Sequence, residues 1–219
     1  MRGRLIPVFL ISLAAYCGLA FVQPLPAQEV IDRIAARVEN DVILMSDLRE
    51  LGRYQQLVDG KTESDEQLLD RLIDQWMVRT EAEASRFPQP AEADINRGME
   101  RLQKSFDSPE EYDLRKKLSG LNDAKVRRMV AAQLYLSNYL DSRFRPSVQI
   151  DTKAIEDFYQ NAVIPRAQAR GQTPPTFEAA RDYIQEALVQ RGINEQADRW
   201  LKESRARLHV DKLLAEGAK

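Results

Sequence analysis

Histidine, the side chain that most readily moves protons near neutral pH, occurs once in these 219 residues, at His209. Cysteine also occurs once, at Cys17. A metal would therefore have to be held by carboxylates, and the 34 acidic residues are spread along the chain instead of clustered. No G-x-S-x-G elbow is present. The single glycines of "RGMERL" and "DGKTES" build no phosphate cradle. Two-carboxylate hydrolysis stays open on composition, because Asp and Glu are abundant, but nothing singles out a pair. The residues point away from an enzyme and toward a chain that uses no cofactor and no metal.

Charge narrows the partners. The 32 basic and 34 acidic residues nearly cancel and are interleaved, as on solvated helix faces. Nucleic-acid binders concentrate basic surface, so no nucleic acid is expected. The N-terminus carries a different signal. Arg2 and Arg4 precede the apolar run "LIPVFLISLAAYCGLAF", and "VQPLPAQ" follows. That order matches a secretory signal peptide over residues 1-27, with cleavage after Ala27 and export to the periplasm. The alternative is a retained anchor, since Leu5 to Val22 is long enough to span a bilayer. A lipoprotein reading of Cys17 does not fit, because Tyr16 replaces the small residue expected before it. Cleavage leaves 192 residues without cysteine and takes the net charge from -2 to -4. Such a chain has no disulfide and holds together by its core. A chain of this size buries roughly 70% of its unfolded surface, which is enough.

The elements that follow are mostly helical, with clear punctuation. "VIDRIAARVENDVILMSDL" (Val30 to Leu48) holds two short apolar runs around Asn40-Asp41. Val30, Ile34, Ala36 and Val38 fall on one strand face, and Arg33 and Arg37 on the other. Ser46 is placed to cap a helix reaching about Val58, with Asp47 in its first turn. Ser64 and Gln67 have capping-box spacing for a helix to about Phe87, stopped by Pro88 and Pro90. A helix around Ile95, Met99, Leu102 and Phe106 follows. Ser108-Pro109-Glu110-Glu111 opens a shorter one closed by Gly120. The longest is predicted from Asp123 to Phe144, with Val126, Met129, Val130, Leu136, Leu140 and Phe144 as its buried face. Gln133 and Ser137 fall near that face, and Tyr135 points off it.

Ser147-Ile150 reads as extended. Asp151 caps a helix with Ile155, Phe158 and Tyr159, and Ala162-Thr176 reads as a loop whose clearest part is Arg170-Thr176. Phe177, Ile184 and Leu188 mark a helix ended by Gly192. Asn194 caps the last one. Arg207-Leu213 alternates like a strand. A lone hairpin is marginal in water, so this C-terminal strand is the natural third partner. The fold class expected is mainly α, a multi-helix body with a small antiparallel sheet formed by the N-terminal hairpin and the C-terminal strand. No repeat of 20-50 residues and no low-complexity tract is found.

These segments resemble a known family. "VIDRIAARVENDVILMSDL" is similar to the opening of SurA-type periplasmic chaperones. "LLDRLIDQWMVRTEAEA" resembles the family's second helix. "VRRMVAAQLYLSNYLDSRF" and "VQIDTKAIEDFY" resemble the exit from its N-terminal domain, and "ADRWLKESRARLHVDKL" its C-terminal helix and strand. The likeness covers most of Val30-Leu213. Glu39 departs from the usual Asn before the turn, at a position expected to be exposed. The larger departure is the absence of a parvulin prolyl-isomerase domain, in whose place the Ala162-Thr176 loop is expected. The resemblance implies residues 28-150 as a SurA-like chaperone region, with residues 151-219 completing the same core.

It further implies an ATP-independent holdase without isomerase activity. The partners implied are unfolded envelope proteins, especially outer-membrane β-barrel precursors, with no stable membrane span after signal cleavage. Such clients expose alternating apolar residues. Met and aromatic side chains suit promiscuous contact. The client-binding candidates are Met77, Met99, Tyr112, Met129, Tyr135 and Tyr139, with core packing as the competing explanation for each. Tyr112 and Tyr135 stand out because helical spacing does not require their burial. Two other classes stay open: a non-catalytic adaptor or subunit of one envelope complex, and a degenerate prolyl isomerase.

Overall fold

The computed structural model describes residues 32-214; the signal segment, Cys17 and Val30 lie outside them. Strand β1 (Ile34–Val38) pairs antiparallel with β2 (Asp41–Leu44), in the register Val38 to Asp41, Arg37 to Val42 and Ala36 to Ile43. The turn is Glu39-Asn40, one position earlier than the sequence suggests. An irregularity between Ile34 and Ala36 turns both Ala35 and Ala36 inward, as a β-bulge does. Strand β3 (Val210–Lys212) pairs antiparallel with β1, giving the order β2-β1-β3. The expected C-terminal partner is therefore present, with a shorter regular part than Arg207-Leu213.

Glu39 is more than an exposed departure. Its backbone sits at φ +52, a conformation that costs a non-glycine residue about 1 kcal/mol or more. Two hydrogen bonds hold it there. Its N–H donates to the His209 carbonyl at 3.0 Å, and its carboxylate accepts from the His209 N–H at 2.8 Å. Glu39 thus fastens the end of the chain to the hairpin.

The helices follow in order. Helix α1 (Met45–Asp59) starts directly from β2. Ser46 does not cap it; Asp47 does part of that work by accepting from the Leu44 N–H at 2.8 Å. Helix α2 (Asp65–Ala84) carries the expected capping box, with Ser64 Oγ accepting from Gln67 N–H and Gln67 Oε1 accepting from Ser64 N–H. Helices α3 (Glu92–Lys104) and α4 (Pro109–Ser119) follow, α4 capped by Ser108 and closed by Gly120 at φ +68. Helix α5 (Asp123–Phe144) opens on Asn122, whose side chain accepts from the Lys125 N–H at 2.9 Å.

The C-terminal part differs from the expectation in two places. Helix α6 (Thr152–Phe158) passes through a π-helical turn (Tyr159–Val163) into α7 (Ile164–Ala169). The loop is therefore Arg170-Thr176 alone, and its earlier part is helical. Pro165 explains the wide turn: it has no N–H for the carbonyl four residues back, and the Ile164 N–H bonds Tyr159 O instead. Helix α8 (Phe177–Arg205) then runs unbroken for 29 residues. Gly192 does not end it and Asn194 does not cap a new one. A Cβ on Gly192 would lie 2.6 Å from Val148 Cγ1, so this glycine lets the segment after α5 pass close against α8.

Burial groups around these elements. The sheet packs on α1 and α2 through Ala36, Val38, Leu48, Leu69 and Ile73. Tyr54, Leu57, Tyr112 and Val126 join α1, α4 and α5. Val78, Ala82, Tyr135 and Tyr139 join α2 to α5, with Trp200 of α8 against them. Ile155, Ala180 and Ile184 form a separate cluster between α6 and the first half of α8. Polar ties reinforce the closure. Asp70 of α2 meets Arg205 of α8 and Lys212 of β3, both at 2.6 Å, and Asp74 meets Arg205 at 3.3 Å. Burial works against the Asp70 carboxylate, but the Lys212 hydrogen bond and the Arg205 charge win and hold it below its ordinary range. Burial dominates at Asp74 and pushes it up.

Candidate functional site

Helix α5 decides where apolar surface stays open. Its expected buried face is only partly covered. Val126 and Val130 are buried, but Met129, Leu136 and Leu140 are half-buried, and Gln133 and Ser137 are exposed. The residues packed deepest in its second half are Tyr135 and Tyr139, each 5% exposed. The cause is tertiary: α5 meets α3 on one side and α2 and α8 on another. The strip between, from Met129 to Leu140, is left uncovered.

Two clefts flank this strip. One, of about 610 Å³, lies between α3, the end of α1 and α5, with Tyr54, Val58, Leu102, Leu134 and Leu140 in its walls. The other, of about 210 Å³, lies between β2, α1, α2 and α5, with Val42, Ile43, Leu72, Trp76 and Met129 in its walls. Gln133 and Leu136 line both, so the two adjoin along α5. Gly98 shapes the first. A Cβ there would lie 2.7 Å from Val130 Cγ1, so its absence sets how near α3 leans on α5.

Polar groups at the clefts are arranged around apolar walls. The Tyr54 hydroxyl donates to Gln133 Oε1 at 3.0 Å. Burial, with smaller effects of Tyr112 and Asp59, pushes the Tyr54 phenol up to about 12, so it stays a neutral donor near pH 7. The Trp76 indole donates to Asp41 Oδ2 at 2.8 Å, which fixes its ring beside the smaller cleft. Asp47, Glu50 and Arg79 edge that cleft, and Glu50 pairs with Arg128 at 3.2 Å. This is an apolar trough with a polar rim, suited to weak and adaptable contact with apolar side chains.

A third cavity, of about 890 Å³, opens between α3, α4 and the start of α5, with Met99, Phe106, Tyr112, Lys116 and Arg127 among its walls. Phe106 and Tyr112 meet edge to face, with ring centroids 5.3 Å apart. Lys116 lies 4.9 Å over the Tyr112 ring and pairs with Asp123 at 2.6 Å. The Tyr112 hydroxyl is buried without a partner. Burial raises its pKa; Gln103 lies near enough to lower it slightly, but no hydrogen bond of ordinary geometry joins them.

The six sequence candidates therefore do not form one surface. Met129 lines the smaller cleft, and Met99 and Tyr112 line the 890 Å³ cavity. Met77 is core at 5% exposure. Tyr135 and Tyr139 pack on Phe87, with centroids 5.9 and 5.5 Å away, and the Tyr139 hydroxyl accepts from Arg143 at 2.8 Å. Tyr112 and Tyr135, whose burial helical spacing does not require, are nonetheless 3% and 5% exposed, so the competing explanation of core packing applies to both. An α-helix wedged among several neighbours buries positions that a one-sided pattern would leave out. Val42, Trp76, Leu102, Gln133 and Leu136 belong to the two clefts but are not among the six client-binding candidates. The available signal was Gln133 and Ser137 on an otherwise apolar face.

His209 lies on the strand edge away from β2, exposed, with its imidazole 3.7 Å from the Asp211 carboxylate. Among the described residues no group of three or more His, Cys, Asp or Glu is placed to hold a metal ion, and no helix is long and apolar enough to cross a membrane. No known protein family matches the chain, and no curated protein matches it.

Proposed function

We propose that this protein is an ATP-independent, non-catalytic periplasmic chaperone that holds unfolded envelope proteins, in particular outer-membrane β-barrel precursors. The observation that carries the reading is the uncovered strip of α5. Met129, Leu136 and Leu140 stay half-buried in the walls of two adjoining apolar clefts edged by polar side chains. An unfolded barrel strand presents apolar residues at alternate positions, and flexible or aromatic walls accommodate many sequences. The resemblance of the hairpin and terminal segments to SurA-type chaperones supports the same reading, as does the signal-like order of residues 1-27.

The test is titration of the purified protein into an unfolded, fluorescently labelled outer-membrane protein, following binding and light scattering together. Micromolar binding to several unrelated clients with suppressed aggregation is the expected result. No binding to any unfolded client refutes it. A second reading, a fixed adaptor in one envelope complex, is favoured by Leu114 and Leu118 on α4. They lie one helical turn apart and are 57% and 73% exposed. It predicts one tight folded partner that is lost on Leu118→Asp.

A further inference from the structure

We infer that the cleft takes its client as an added β-strand, hydrogen-bonded to Val42 on the open edge of the sheet. The inference rests on the holdase reading above and adds the mode of recognition. Strand order leaves β2 at an edge. The ladder decides which of its groups are free. The Leu213 N–H donates to Ala35 O and the Glu39 N–H to His209 O, so the odd-numbered residues of β1 turn their backbone groups toward β3. Ala36 and Val38 then turn toward β2, where they face Ile43 and Asp41. Val42, opposite Arg37, sits at a non-hydrogen-bonded position, so its N–H and C=O point away from β1 to the open edge.

An extended polypeptide offers a donor and an acceptor at the spacing this edge presents. The neighbouring position is closed, because the Leu44 N–H is occupied by Asp47. The edge is thus blunted to a single residue, as soluble proteins blunt edges against runaway pairing. It can make two backbone hydrogen bonds, which suits brief and weak capture. The smaller cleft begins at the same strand: Val42 and Ile43 are in its wall, beside Trp76 and Met129. A strand paired with Val42 places its two flanking residues on the face that Ile43 occupies, toward that cleft. Asp41 and Asp47 flank the site and are exposed, so the charge complement is a lysine or arginine beside the apolar positions.

The test uses the purified protein and a labelled synthetic peptide of about ten residues, the length of a membrane β-strand. It alternates apolar and polar residues and carries one lysine. Its amides are N-methylated one at a time. Strand addition predicts a loss of about tenfold at one amide, with both neighbouring amides tolerated, because neighbours point away from β2. Val42→Pro removes the same contact from the protein side. Proline is tolerated on an edge strand whose N–H faces outward, and circular dichroism checks that the variant is folded. If it is not, the methylated peptides alone decide. Lys→Glu in the peptide should weaken binding further at low salt. Equal binding by every methylated peptide, or an equal loss at every position, overturns strand addition while leaving the holdase reading intact. Failure of the unmodified protein to bind any unfolded client overturns both.

Discussion

Gly192→Ala sets two effects of known sign against each other. Gly192 lies inside the 29-residue α8, and alanine there gains about 1 kcal/mol of helix propensity. The new methyl, however, would stand 2.6 Å from Val148 Cγ1 and 3.2 Å from Cγ2. Carbon atoms pack best at about 3.5-4.0 Å, so Val148 must retreat by roughly 1 Å. Rotating it relieves the contact only in part, since both of its methyl groups face the glycine. Overpacking of this kind costs about 1-3 kcal/mol. The crowding wins, for a net loss of about 1 kcal/mol and a drop in Tm of about 2-4 °C for a chain of this size. In a Val148→Ala background the crowding is gone, and the same substitution should then raise Tm by a similar amount. Thermal unfolding of the four proteins completes a double-mutant cycle. A rise in Tm from Gly192→Ala in the parent, or the same sign in both backgrounds, refutes the close-approach argument.

Other outcomes follow from single groups. Tyr112→Phe deletes a buried hydroxyl that has no partner, so Tm should hold or rise by up to about 1 kcal/mol of stability. Tyr54→Phe deletes the hydrogen bond to Gln133 and should cost about 1 kcal/mol. Val58, 36% exposed in the wall of the larger cleft, should tolerate Val58→Asp with an unchanged Tm while client affinity falls several-fold in the fluorescence titration. Acid should destabilise the fold over a defined window. Hydrogen bonds from Arg71 and from Arg145 hold Glu63 and Glu186 down to about 2. Their contribution is complete above their ordinary range near 4.5 and is lost as pH falls toward 2. Asp141, held down by Arg145, and Asp70 act in the same direction, while Asp74, pushed up by burial, opposes them weakly. Tm measured against pH should be flat above about 5 and fall below 4.5; a maximum below pH 4 contradicts the assignment.

Local chemistry made much of the fold legible. The Ser64 and Gln67 box, the Ser108-Pro109 start, the Asp151 cap and the alternation of Ala36, Arg37 and Val38 each act within a few residues. So their outcome is written beside them. Even the pairing of β3 with β1, across most of the chain, follows from local signals. A hairpin needs a third strand, and Arg207-Leu213 alternates like one. Gly192 shows the limit. A glycine that ends a helix and a glycine that admits a neighbour look identical along the chain, and only Val148 tells them apart.

The cleft lies beyond that limit for the same reason. Helical spacing reports that α5 has an apolar face, but of the residues expected buried there only Val126 and Val130 are, while Tyr135 and Tyr139 are buried off that face. Spacing carries no information on what covers it. Coverage depends on where α3, α2 and α8 land: they bury Tyr135 and Tyr139 and leave Met129, Leu136 and Leu140 half-open. The sequence by itself determined the elements as far as α6 and the closure of the sheet, because capping, turn and alternation energies are local, but it missed α7 and split α8 at Gly192. The tertiary structure alone decided which apolar residues became core and which became a binding surface, because burial belongs to neighbours brought together from distant parts of the chain.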